Sequence, residues 1–372
     1  MITLCSADIA PDPAVLRCPG GFTWFYVDLI DAEGRGATVI WSWGLPFLPG
    51  YAGAARGGRP ELPINRPSVN VVVYGDGRER FYLLSELPPD DCEWGADGRS
   101  WRLGQNTFTW IDTPGAAGDP PNRRLAATLD LGLPTGGRVT GELRLSGPLR
   151  RDGASQPVLG DGTHTWTPMV AASRGSLDLR TPTGDLRIDG RAYHDRNSAA
   201  QPLHELGIES WWWGRLALPS RDLVFYRLTP SEPGAAPRNL VVELAADGSS
   251  RTVETELEPG RIRRSSWGLR WPESATFADP DGRPVQVEVN SVLDNGPFYQ
   301  RYLLRGRCGA DEAYGVGENV VTDRVDTDLL RPLVRMRVHR AAGRNSMWLP
   351  LFSGDSDGRW SRLLGQAGKV RA

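Results

Sequence analysis

The feature that most constrains this chain is a set of short runs in which apolar and polar residues alternate, separated by glycine and proline. In VQVEVN, Val285, Val287 and Val289 face one way while Gln286, Glu288 and Asn290 face the other. VETELE sets Val253, Thr255 and Leu257 against Glu254, Glu256 and Glu258, and RLAATLDL aligns Leu125, Ala127, Leu129 and Leu131. FTWFYVDLI, VNVVVY, TGELRLSG, DLRIDG, DLVFYRL and NLVVEL read the same way. A period of two with closely spaced turn residues, here 44 glycines and 30 prolines, marks half-buried antiparallel strands. Helical spacing first shows in DTDLLRPLVRMRV, where Pro332 would interrupt a long helix. The fold class expected is all-β. With 372 residues the chain exceeds one ordinary β domain, so two barrel or sandwich domains are expected, assigned to 1–183 and 184–372. The boundary markers are RRDGASQPVLGDG before His164 and TPTGD before Leu186. With no tandem repeat or low-complexity linker, the halves are expected to pack together.

Composition removes several functions. A formal net charge of −2 lacks the basic excess that phosphate binding needs, so nucleic acid is not expected as a partner. No apolar run approaches the roughly 18 to 20 residues of a spanning helix. MITLCSADIAPDPAVLR shows no basic stretch followed by an apolar one, so a cytoplasmic location is expected. Cys5, Cys18, Cys92 and Cys308 are scattered, which reads as reduced thiols rather than a zinc site or disulfide framework. Lys369 is the sole lysine, so a Walker loop, a PLP Schiff base and an S-x-x-K nucleophile have no lysine inside the fold. G-x-G-x-x-G is absent.

Between Thr163 and Arg215 the chain gathers three of its four histidines, an acid and its densest aromatic cluster. Residues two apart on a strand share a face, so His164 projects with Trp166, Tyr193 with Asp195, and Trp211 with Trp213 and Arg215. Each has an ordinary structural use. Asp195 could be tied to backbone amides or to Arg191, Arg196 or Arg215, a histidine could be a satisfied core residue, and tryptophans fill barrels. The spacing H-x29-H-x9-H of His164, His194 and His204 matches no compact ligand set, and no metal is expected.

THTWTP, GRAYHDRN and PLHELGIESWWWGR together resemble the signature region of the carotenoid 1,2-hydratases (hydroxyneurosporene synthases). GGFTWFYVDLIDAEGRGATVI, VNVVVY, VLDNGPFYQRYLLRG and LLRPLVRMRV resemble further segments of that family, so the likeness spans most of the chain. The sharpest motifs are H-x-W and Y-x-D-x-N. The resemblance implies two lipocalin-like β domains and a cofactor-independent hydratase. It further implies functional residues His164, Trp166, Tyr193 and Asp195, with Asp195 as proton donor. Trp211, Trp213, His194 and Arg215 are the expected substrate-binding residues. The chain departs from the family at Ala192, where a glycine is usual, and at Trp211-Trp212-Trp213-Gly214-Arg215, where the family reads W-x-W-S-R. SAAQP also replaces a glycine-containing turn.

The residue chemistry suits such a reaction. Hydrating an isolated trisubstituted alkene begins with protonation of carbon by a neutral carboxylic acid, and burial against aromatic surface keeps an acid neutral. Indole and phenol faces stabilise the resulting tertiary cation at about 0.5 to 2 kcal/mol per contact. A bound water completes the addition, with His164 or His194 as its expected base. The expected partner is an apolar carotenoid or terpenoid; a cyclase or isomerase using the same acid and a non-catalytic carrier are the alternatives. RPLVRMRVHRAAGR carries Arg331, Arg335, Arg337, Arg340 and Arg344, read either as a surface paired with the acids of DRVDTD or as peripheral contact with anionic lipid. Oligomeric state is left open.

Overall fold

The computed structural model describes residues 2–115, 120–150, 156–159, 163–357 and 359. Its strands in chain order are β1 (Ile2–Leu4), β2 (Phe22–Ile30), β3 (Gly36–Trp43), β4 (Pro67–Gly75), β5 (Arg78–Glu86), β6 (Cys92–Trp94), β7 (Ser100–Leu103), β8 (Asn106–Thr113) and β9 (Asn122–Gly132). Next come β10 (Arg138–Pro148), β11 (Gln156–Leu159), β12 (His164–Thr181), β13 (Gly184–Ala199), β14 (Ile208–Leu218), β15 (Arg221–Pro230), β16 (Arg238–Ala245), β17 (Ser250–Glu254) and β18 (Leu257–Pro259). The last are β19 (Ile262–Arg264), β20 (Arg270–Pro272), β21 (Ser274–Ala278), β22 (Pro284–Asn295), β23 (Tyr299–Cys308), β24 (Asp311–Val321), β25 (Val338–Arg340) and β26 (Gly354–Asp355). Two single-turn helices, α1 (Tyr51–Arg56) and α2 (Arg331–Arg335), join them, Pro332 lying in the first turn of α2 where its missing N–H costs nothing.

The first sheet runs β25-β5-β4-β3-β2-β13-β12-β10-β9-β8-β7-β6, with β1 on β12, β11 on β1 and β26 on β5. It curls until Trp41 of β3 stacks on Phe108 of β8, ring centroids 4.8 Å apart, around an interior of Phe25, Val27, Trp101, Leu143 and Met169. The second sheet runs β17-β16-β15-β14-β24-β23-β22-β21-β18. It curls likewise, Arg227 of β15 donating to the Leu257 carbonyl at the far edge, 3.3 Å away. Its interior holds Trp212, Leu216, Phe225, Phe277 and Tyr302. The all-β, two-unit lipocalin-like architecture is thus present.

The outer faces of the two curls meet. Strand alternation supplies both layers: Phe25, Val27 and Leu29 of β2 enter the first interior, while Phe22 and Tyr26 face the second sheet. In β14, Trp212 and Leu216 fill the second interior, while Trp211 and Trp213 meet Phe22, Tyr26, Trp166 and Tyr193. Consequently β2, β4, β14 and β15 are buried on both faces, and only peripheral strands such as β9 and β10 show the half-exposed pattern that alternation implies.

The expected division at 183/184 does not coincide with the change of sheet. TPTGD is the turn of the β12–β13 hairpin, which pairs from Thr165↔Ser198 to Thr181↔Gly184, and β13 also pairs with β2. The chain passes to the second sheet between Ala199 and Ile208, and β25 and β26 return to the first. Glycine, proline and aspartate mark a tight hairpin as readily as a linker. In the other marker, RRDGASQPVLGDG, residues 151–155 and 160–162 lie outside the described residues, as does Lys369.

Candidate active site

The β12–β13 hairpin and β2 present one cluster to the second sheet. Trp166 pairs across the hairpin with Asn197 and Pro168 with Asp195, while Asp195 also pairs with Tyr26 of β2. Tyr193, Asp195 and Asn197 therefore share a face. Asp195 is 3% exposed, and its Oδ2 accepts hydrogen bonds from Trp166 Nε1 at 2.9 Å and Tyr193 Oη at 2.8 Å. Oδ1 accepts from Asn197 Nδ2 at 3.0 Å. This turns the Asn197 carbonyl towards His164 Nε2, also 3.0 Å away, so the imidazole is the donor there. His164 thus acts on the acid through Asn197.

Burial pushes Asp195 up to about 7; the bonds from Trp166 and Tyr193 pull it down, and the charges of Glu318 and Asp28 push it up. Burial also drives His164 down to about 4, so its imidazole is neutral near pH 7. Tyr193 is raised well above its ordinary value, chiefly by burial, and stays a donor. The outcome is a carboxyl group near half-protonation, with donors ready to stabilise the carboxylate once a proton leaves. Because Oδ2 already serves two donors, the transferable proton belongs on Oδ1.

Asp195, Asn197 and His164 line a cavity of about 30 Å³ with Trp24, Tyr26, Trp211, Trp213, Tyr226 and Glu318. A second cavity of about 130 Å³ shares Trp24, Tyr26, Trp211 and Glu318 and continues past Phe47, Val72, Leu84, Phe298, Leu333 and Val334. Aromatic rings crowd the acid: Trp166 against Tyr226 at 5.1 Å, Tyr26 against Trp213 at 5.6 Å, and Tyr193 against Trp213 at 6.1 Å. An acid so walled can protonate an alkene and leave the cation facing π-electrons.

Of the residues expected here, His164, Trp166, Tyr193, Asp195, Trp211 and Trp213 converge. His194 does not. It is one position out of phase, so its ring enters the first barrel, 5.5 Å from Trp110, with Nδ1 2.8 Å from the Tyr26 carbonyl. It cannot serve as a base across the sheet. Arg215 lies beneath Tyr193, its guanidinium 5.4 Å from that ring, and lines neither cavity. It is bound to Asp28 of the first sheet and, at 3.3 Å, to Asp222 of the second, which Arg191 meets at 3.1 Å. Two residues were missed. Asn197 was legible as the last member of Y-x-D-x-N. Glu318 had no signal, because β24 lies more than a hundred residues away and only sheet pairing brings it to Trp213. The departures at Ala192 and Gly214 face the barrel interiors: Ala192 belongs to the first, and a Cβ at Gly214 would meet Phe225 Cζ at 2.3 Å.

Fold and site together define a class: two lipocalin-like β curls packed back to back, with a buried, near-neutral acid in the aromatic seam between them. The model of the family Carotenoid hydratase CrtC matches residues 39–347, and the chain belongs to that family. It is accordingly a hydratase, a hydro-lyase by reaction class. The chain is 28% identical over 331 residues to an acyclic carotenoid 1,2-hydratase of Thiocapsa roseopersicina, covering 87% of this chain and 74% of that one. It is 26% identical over 358 residues to a protein of Chlorobaculum tepidum named hydroxyneurosporene dehydrogenase, covering 90% and 91%. Among solved structures, an AttH protein of Nitrosomonas europaea superposes with a TM-score of 0.55 at 14% identity, over 81% of this chain and 92% of that one. This last likeness concerns the fold.

Proposed function

We propose that the chain adds water to the terminal trisubstituted C=C bond of an acyclic carotenoid. Asp195 Oδ1 delivers a proton to one alkene carbon, and Trp166, Tyr193 and Asn197 hold the carboxylate that remains. Trp213, Tyr226 and Tyr26 face the tertiary cation, and water closes the reaction. The observation that carries this reading is the buried Asp195 with three donors in a small cavity that shares Trp24, Tyr26, Trp211 and Glu318 with the larger one. The 30 Å³ cavity beside the acid is the size of about one water. That favours capture by water over cyclisation.

The apolar cavity is smaller than the roughly 300–1,000 Å³ of sites that enclose a whole drug-sized ligand. An end group enters and the rest of a long chain stays outside. Leu333 and Val334 of α2 line the outer part, and Val338 lies between this cavity and a surface cleft bearing Arg335, Arg344 and Trp348. In the arginine-rich stretch, Arg331 pairs with Asp326 and Asp328, Arg337 with Asp294 and Glu79, and Arg340 with Glu86. Arg335 and Arg344 are exposed and have no ion pair among the described residues, and Met347 beside them is 73% exposed. This supports peripheral contact with an anionic membrane from which the substrate end is drawn. Reversing both charges, Arg335→Glu with Arg344→Glu, is expected to weaken binding to anionic vesicles about tenfold or more, at roughly 1 kcal/mol per basic residue. Equal sedimentation of both proteins with such vesicles would remove the membrane reading.

The central test is incubation with an acyclic carotenoid in deuterium oxide. A tertiary alcohol bearing one carbon-bound deuterium is expected, absent with Asp195→Asn. Retained ligand binding without turnover in the unaltered protein would mean a carrier instead.

A further inference from the structure

Addition of water to a cation releases a proton from the attacking oxygen, and something must hold that water and take the proton. His194 is on the wrong face, and His164, its Nε2 donating to Asn197, is driven down to about 4 by burial and is a weak base. Across the cavity from Asp195, on the second sheet, stands Glu318 of β24, lining both the small and the larger cavity. Oε1 accepts from Trp211 Nε1 at 3.2 Å and Oε2 from Tyr299 Oη at 3.0 Å. Burial raises Glu318 above its ordinary value while the charge of Arg301, its cross-strand neighbour on β23, favours the carboxylate. Arg301 donates from Nε to Tyr299 Oη at 3.0 Å, and no cation makes an ion pair with Glu318 among the described residues. A carboxylate in an apolar seam without an ion pair is costly. Two neutral donors orient it and leave each oxygen a free lone pair for a third partner.

We infer that Glu318 is the second catalytic group of the hydration: it holds the attacking water in the small cavity and removes its proton. The inference rests on Asp195 acting as the acid. The alkene lies between the two sheets, protonated from the first by Asp195 and hydrated from the second. The water oxygen forms its bond to the tertiary cation, one water proton passes to the Glu318 carboxylate, and the neutral alcohol is left. Glu318 then returns that proton to Asp195 through water refilling the cavity, which restores both groups. Two carboxyl groups facing one cavity divide the roles of acid and base because each disfavours ionisation of the other.

The test uses the unaltered protein, Glu318→Gln, Glu318→Asp and Asp195→Asn, each with the same acyclic carotenoid in deuterium oxide. Alcohol and deuterium in the recovered alkene are both measured, and thermal melts check folding. Removing the base leaves protonation intact, so the cation reverts by losing a proton. In Glu318→Gln, alcohol is expected to fall at least about 100-fold while deuterated alkene persists, and Glu318→Asp is expected to restore part of the alcohol. Asp195→Asn is expected to lose both. Wild-type alcohol formation in Glu318→Gln, or alcohol and exchange falling in proportion, would overturn the role of Glu318 and leave Asp195 untouched. An unaltered protein that neither hydrates nor exchanges the alkene would overturn the proposed function and this inference with it.

Discussion

At Asp195 two effects oppose each other. Loss of water favours the neutral acid, and donors at 2.8 to 3.0 Å favour the carboxylate; burial wins, leaving the group near 7. Below that value Asp195 carries its proton and can act; above it the carboxylate dominates. Hydration rate is therefore expected to decline from its plateau as pH rises through about 7, and to decline on the acidic side once Glu318, raised above its ordinary value chiefly by burial, takes up a proton. Glu318 and Asp28, the other carboxyl groups acting on Asp195, push its titration upward, so replacing Glu318 by Gln should move the decline to lower pH. Tyr193→Phe removes a donor that lowers Asp195, so the decline should move to higher pH. The plateau should fall about 100-fold, because carboxylate stabilisation is lost. A pH–rate profile of each variant checks both directions.

The element that decides most is β14, whose three consecutive tryptophans have two destinations. Trp212 faces Phe225 in the second interior, ring centroids 5.0 Å apart, while Trp211 and Trp213 wall the cavities. Trp212→Ala is expected to cost about 3–5 kcal/mol of stability, as for other buried aromatic truncations, with the pH profile unchanged. Trp213→Ala should cost stability and also depress turnover more than binding, since its face meets the cation rather than the ground state. Denaturant unfolding beside steady-state kinetics separates the two. A strand slipped by one residue would exchange these places, so the sheet register itself sets which indole faces the acid.

For the whole molecule, the seam between the curls is held by charge as well as by apolar surface. Arg215, fully buried, joins Asp28 of the first sheet to Asp222 of the second, and Asp222 also accepts from Arg191 and from the Ala172 amide at 3.2 Å. Ala172 has φ of 41° where β12 shifts register between Val170 and Ser173, so the same carboxylate anchors the irregularity in β12. Arg215→Met would strand the buried Asp28 carboxylate, Asp222 keeping Arg191, and is expected to destabilise by about 3–5 kcal/mol. Burial raises Asp28 to about 6 against the pull of Arg215; without that guanidinium it should titrate higher still, making the loss larger as pH rises. Chemical denaturation at pH 6 and 8 measures both.

Much of this was legible beforehand. Alternation in VQVEVN and RLAATLDL identified strands, and spacing by two put Tyr193 with Asp195 and Trp211 with Trp213. The same rule places His194 on the face opposite Asp195, where its ring meets Trp110. TPTGD concealed a hairpin because turn residues do not say whether the strands they join remain paired. The sequence by itself determined which side chains share a face, since strand geometry is local and repeats every two residues. Only the tertiary structure decided what each face meets: that outer surfaces form an aromatic seam, that Arg215 bridges sheets, and that Glu318 reaches the cavity of Asp195. Those are contacts between segments far apart in the chain, set by how two curled sheets dock, and no local pattern encodes them.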